Sequence, residues 1–97
     1  MLSVKILSLQ YPERYVVRRL VAAVQHELQV KSRPLDLVIT EVADPAEIGR
    51  YALVLILPTL VVNEKVVCSG RFPGKEEIKQ WLLEAAEEEE HNKISLP

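Results

Sequence analysis

At Tyr11-Pro12 the hydrophobic pattern of this chain changes period. Before that point Val4-Lys-Ile-Leu-Ser-Leu9 is a short, loosely alternating apolar run, which predicts a first strand. After it Val16, Val17, Leu20, Val21, Val24 and Leu28 recur at three- and four-residue intervals. Arg14, Arg18, Arg19, Gln25 and Glu27 fill the remaining positions, so the spacing predicts an amphipathic helix of about four turns. Pro12 suits the first turn, where its missing N–H has no partner to lose, and Glu13 complements the positive helix end. Lys31-Ser-Arg-Pro34 closes the helix, because proline disfavours helix in the residue before it. Leu35-Asp-Leu-Val-Ile-Thr40 then predicts a second strand. Two strands joined through a helix form a parallel pair with a right-handed crossover.

The remainder of the chain adds to that unit. Asp44-Pro45-Ala46-Glu47 reads as a helix start, with a capping carboxylate, a proline and a capping-box glutamate, and this short helix should end near Tyr51 or Ala52. Leu53-Val-Leu-Ile-Leu57 is apolar throughout, but Pro58 cannot donate to a central ladder, so the break falls there and a third strand runs Thr59 to Val62. Asn63-Glu64 fits a two-residue hairpin turn, Lys65 to Ser69 is the returning strand, and Gly70 marks a bulge or its end. Phe72-Pro73-Gly74 leads into a last helix with Ile78, Trp81, Leu82 and Ala85 on one face. The expected architecture is α/β, in the order β-α-β-α-β-β-α, with a mixed four-stranded sheet and helices on both faces. The domain should occupy residues 1–90, with a frayed C-terminal tail at 91–97 and Glu87-Glu-Glu-Glu90 as a solvated helix end.

Composition removes several function classes. Lys and Arg number 12 against 14 Asp and Glu, for a net charge of −2, so no basic field points to nucleic acid or to an anionic membrane. Arg14, Arg18 and Arg19 form a small basic flank without interleaved aromatics, a weak nucleic-acid signal. The single cysteine, Cys68, permits no internal disulfide and no paired-thiol centre. His26 and His91 lie far apart and make no ligand spacing with it, so no metal or other cofactor is expected. No stretch reaches the ~18 apolar residues of a membrane span, and the start lacks a signal-peptide pattern. A soluble, cytoplasmic protein is the expectation.

Taken together, the element order, Leu57-Pro58-Thr59-Leu-Val-Val-Asn63, Lys65-Val-Val-Cys-Ser-Gly-Arg71 and Lys75-Glu-Glu-Ile-Lys-Gln-Trp-Leu82 resemble the thioredoxin-like superfamily. The nearest branch is the small glutaredoxin-like, redox-active-disulfide proteins of prokaryotes. The resemblance covers roughly Ser3 to Ala86. It implies a Cys-x-x-Cys at the start of the first helix, and those two positions fall on Tyr11 and Arg14, with only Pro12 matching the motif. Thiol–disulfide exchange needs a thiolate to attack a disulfide, so neither side chain can perform it. The resemblance also implies a cis-proline facing that loop, matched by Pro58. The main chain of the residue before it, here Leu57, would pair with a bound peptide or glutathione. The apolar Leu55-Ile56-Leu57 favours a protein partner.

The functional expectation is therefore a non-catalytic, degenerate thioredoxin fold that binds a protein or peptide around Tyr11, Pro12, Leu55, Ile56, Leu57 and Pro58. An exposed apolar patch there would also serve a homodimer. The alternative is a residual redox role for Cys68, by mixed disulfide or glutathionylation. In the expected hairpin register Cys68 pairs with Thr59, next to Pro58. Against that role, cysteine usually packs as a small hydrophobe, and nothing nearby in sequence lowers its pKa. Tyr11 and Arg14 are either an anion site with the first helix's free N–H groups or a surface that no longer has a task.

Overall fold

The computed structural model describes residues 1–31, 34–51 and 58–95. The elements are β1 (Leu2–Leu7), α1 (Tyr11–Val30), β2 (Leu37–Val42), α2 (Pro45–Ile48), β3 (Thr59–Val62), β4 (Lys65–Ser69) and α3 (Lys75–Ser95). The sheet order is β2-β1-β3-β4. β1 and β2 are parallel, while β3 runs antiparallel to both β1 and β4. This is the expected element order and mixed sheet.

Alternation along the strands builds two cores. Leu2, Val4 and Ile6 of β1 point to one face with Leu60 and Val62 of β3. There they meet Val17, Val21, Val24 and Leu28 of α1 and Ile78, Leu82 and Ala85 of α3, with Trp81 packed against the cluster. On the other face Leu7, Val42 and Val61 cover Ile48 of α2, with Tyr51 alongside. β3 is buried at all four positions because both layers use it, which is why Thr59-Leu-Val-Val62 is apolar or small without alternation.

Several boundaries differ from those expected. β1 and β2 are each displaced by two residues, and the register explains both. Leu2 pairs with Leu37, the Leu2 N–H donates to Asp36 O at 2.8 Å, and the ladder closes where Ser8 N–H donates to Val42 O at 3.2 Å. Leu9 and Leu35 therefore extend the apolar runs without belonging to the ladder. α2 has a single turn, capped by the Asp44 side chain accepting from Ala46 N–H. Beyond it, Arg50 and Tyr51 N–H bond three residues back, to Glu47 and Ile48, as a tightened helix end does. α3 continues to Ser95, through the first part of the expected tail, since the glutamates preceding it are good helix formers.

The hairpin turn lies where the sequence put it. Asn63 (φ 48°) and Glu64 (φ 67°) both adopt the left-handed region, the signature of a type I′ turn. Asn63 tolerates that conformation and ties β1 to the turn, its Oδ1 accepting from Ser3 N–H at 2.9 Å. Glu64 is the less natural occupant; its carboxylate receives Lys5 Nζ at 2.8 Å and Tyr51 Oη at 3.1 Å. Glu64, and after it Tyr51, hold Lys5 in its charged form, raising its pKa, and Lys5 holds Glu64 ionised in turn.

Candidate functional site

Leu7, Thr59 and Ser69 form one row across the sheet. Three segments leave the sheet at this end: Ser8 into α1, Pro58 into β3, and Gly70 toward α3. One step beyond the Leu7–Thr59 pair places Pro58 beside Ser8. Pro58 is buried and its carbonyl accepts from Gly70 N–H at 3.0 Å. The topology thus brings Pro58 to the end of the sheet from which α1 starts. Leu55, Ile56 and Leu57 lie outside the described residues, as does the geometry of the Leu57–Pro58 bond.

The start of α1 is held by a residue before it. Gln10 is the N-cap but makes no side-chain cap. The fully buried Ser8 braces the entry instead: its Oγ accepts from Gln10 N–H at 3.1 Å and donates to the Glu13 carboxylate. Arg14, at the second of the two positions where the resemblance would place a thiol, points inward with its side chain only 14% exposed. It donates to Ser8 O at 2.8 Å and to Glu41 Oε1 at 3.2 Å, while Arg18 takes Glu41 Oε2 at 3.1 Å. The guanidinium that an anion would need is thus already engaged by a carboxylate and a carbonyl.

Tyr11, at the first of those two positions, is 61% exposed. Its ring stacks on Tyr15 with centroids 6.2 Å apart, the Arg14 guanidinium lies 5.7 Å from its centroid, and Arg19 sits likewise over Tyr15. The arginine flank of α1 does carry interleaved aromatics, which the linear reading did not recognise. Leu9, Tyr15 and Val16 are exposed as well, and so is Pro12. Apolar and aromatic side chains therefore gather in solvent over the entry and first two turns of α1.

Sequence reasoning missed Ser8 and Glu41, and saw Glu13 only as a complement to the helix end, not as a partner of Ser8. A usable signal existed for Glu41: it shares a strand face with Leu37 and Ile39, toward α1. A carboxylate on a core-facing position demands a cation, and Arg14 and Arg18 stand one helical turn apart to supply it.

Cys68 does not pair with Thr59. The hairpin register shifts between Leu60 and Val61, so Val67 is the extra residue, Cys68 faces Leu60, and Ser69 faces Thr59. Ser69 and Thr59 share a hydroxyl hydrogen bond at 3.1 Å. The bulge turns the Cys68 thiol into the main core, where it is 6% exposed with Sγ 3.6 Å from Arg71 O. Burial pushes its pKa up, and the Arg71 guanidinium only partly offsets this. Each unit of upward shift removes about tenfold of the reactive thiolate. With its sulfur buried and its thiolate disfavoured, native Cys68 should be alkylated by iodoacetamide clearly more slowly than in the urea-unfolded chain, read by mass spectrometry against time. Equal rates would place the thiol in solvent.

Among the described residues no group of three or more His, Cys, Asp or Glu side chains could hold a metal ion, and no helix is long and apolar enough to cross a membrane. The site is thus that of a thioredoxin-type scaffold whose helix-start pair carries no thiol. The thioredoxin domain family model matches residues 2–83, and the chain belongs to that family. No curated protein and no solved structure matches it. Within this chain, a single cysteine cannot cycle through an intramolecular disulfide.

Proposed function

We propose that this chain is a non-catalytic binding module that docks a segment of a protein partner at the entry to α1, beside Pro58. The observation that carries this reading is the inversion of the former redox loop. Arg14 is locked inward on Ser8 and Glu41, while Leu9, Tyr11, Tyr15 and Val16 are left in water. Singly exposed apolar residues need no explanation, but four within eight residues, two of them stacked tyrosines, are typical of a contact surface. Tyrosine also contributes large contact area at low conformational cost, which makes it a common interface anchor. The main chain before Pro58 would add strand-like pairing to an extended segment, with little demand on its sequence. Burial of Cys68 gives a monothiol role no support. The cytoplasm, where a lone thiol stays reduced, is the compartment this reading assumes.

Leu9→Asp and Tyr11→Asp test the proposal. Both positions are exposed, so each variant should keep its melting temperature within a few degrees, surface substitutions being worth about 0.5 kcal/mol or less. Each should lose most of the partner recovered by in-cell crosslinking and affinity purification. If both variants are folded and keep the full set of partners, the docking site lies elsewhere.

A further inference from the structure

The helix layer presents two outward faces of opposite character. α1 turns Val17, Val21, Val24 and Leu28 to the sheet. Its opposite side, Tyr15, Arg18, Arg19, Ala22 and His26, is exposed and carries no carboxylate. The two acids of α1 are on its flanks, Glu13 bonded to Ser8 and Glu27 paired with Lys31 and Lys79. α3 is the reverse. Ile78, Leu82 and Ala85 face inward, and Glu76, Gln80, Glu84 and Glu87 are exposed around the half-buried Leu83. The two helices are neighbours in one layer, joined by the Lys79–Glu27 contact at 3.8 Å.

We propose that these faces meet across a two-fold axis in a homodimer, with α1 of each copy lying on α3 of the other. The first argument is charge: Arg19 of one copy, beside Arg18, which already holds Glu41 of its own chain, would oppose Glu84 and Glu87 of the next. The second is symmetry. Because the basic and acidic faces are side by side, one two-fold axis through the layer satisfies both at once, and an isologous contact closes at two copies. The third is size. A 20-residue helix is about 30 Å long and about 10 Å across, so two adjacent helices offer on the order of 600 Å². That approaches the roughly 800 Å² per partner of a standard interface. Tyr15 and the arginines are also the residue types that anchor such contacts. Tyr15 belongs to both surfaces, but Leu9, Tyr11 and Pro58 are not needed for the dimer, and the charge reversals at Arg19 and Glu87 leave all four docking residues unchanged.

Sedimentation equilibrium of the full chain tests the proposal at low and high salt. The expected result is a dimer at low salt that weakens as salt screens the facing charges. Arg19→Glu and Glu87→Arg should each weaken it at least about tenfold. Mixed one to one, they should dimerise as well as the wild type, since both contacts then join opposite charges. Circular dichroism establishes that each variant is folded. A wild-type chain that stays monomeric at every concentration at low salt overturns the proposal. So does a dimer indifferent to both reversals, or a mixture that recovers nothing. An acidic helix of another protein that binds this face of a monomeric chain would equally replace the second copy.

Discussion

Leu82→Ala should destabilise the domain by about 3 kcal/mol and lower its melting temperature by roughly 12–24 °C. Leu82 is fully buried in the main core, among Ile6, Leu60, Val21 and Ile78. It joins α3 to the sheet and to α1 at once. Removing three carbon atoms there loses their transfer free energy and leaves a cavity that strands β1 and β3, fixed by their ladder, cannot close. Domains of this size have only about 5–15 kcal/mol of stability in all, so the loss is a large fraction. Val66→Ala is the control. Val66 is apolar too, but it is 41% exposed on the edge strand β4, and its truncation should change stability by about 0.5 kcal/mol or less. Urea denaturation of both variants decides the matter. If Leu82→Ala costs no more than Val66→Ala, the main core is not centred on α3.

The contrast between Leu82 and Val66 also shows which parts of the fold the sequence made legible. Wherever a local rule decides the structure, the reading held. The stripes of α1 and α3 follow from period alone, and Thr59–Val62, Asn63-Glu64 and Lys65–Ser69 lie where the turn chemistry put them. Strand ends were less legible, because apolarity does not distinguish a ladder residue from its neighbour. Leu9 is apolar and 56% exposed, just beyond β1. The Val67 bulge had no glycine or proline to announce it, and it alone moves Cys68 from Thr59 to Leu60. The Ser8–Arg14–Glu41 network was hidden for a different reason. It joins residues up to 33 positions apart, through a register that only the pairing of β1 with β2 establishes. Of the surface proposed for docking, only part was named in advance. Tyr11, Pro12 and Pro58 were named from the motif positions, whereas Leu9, Tyr15 and Val16 belong to it only once the rotation of α1 is known.

That rotation permits the strongest test of what the scaffold has kept. The double variant Tyr11→Cys/Arg14→Cys should form an intramolecular disulfide and reduce insulin in the presence of dithiothreitol, where the wild type stays at the uncatalysed rate. Positions three apart on one helical turn have Cβ atoms about 5–6 Å apart, close to the span a disulfide bridges with small adjustment. Residue 11 is the first of α1, where unpaired N–H groups and the helix dipole favour a thiolate. Residue 14 points inward, where a second thiol would be shielded until the first is attacked. Pro12 already fixes the first turn. Removing the Arg14 side chain loses its bonds to Ser8 O and Glu41, a cost of about 1–3 kcal/mol, while Arg18 stays on the same carboxylate. Neither single-cysteine variant should cycle, and Cys68→Ser in the double-variant background should change nothing, since that thiol is in the core. Thiol titration separates the two ways the expectation could fail. A folded double variant that keeps both new thiols free under oxidant would show that the α1 entry is no longer shaped for a redox pair. One that forms the disulfide yet leaves insulin untouched would show that the surface beside Pro58 does not admit an extended chain, and the docking proposal would fall with it.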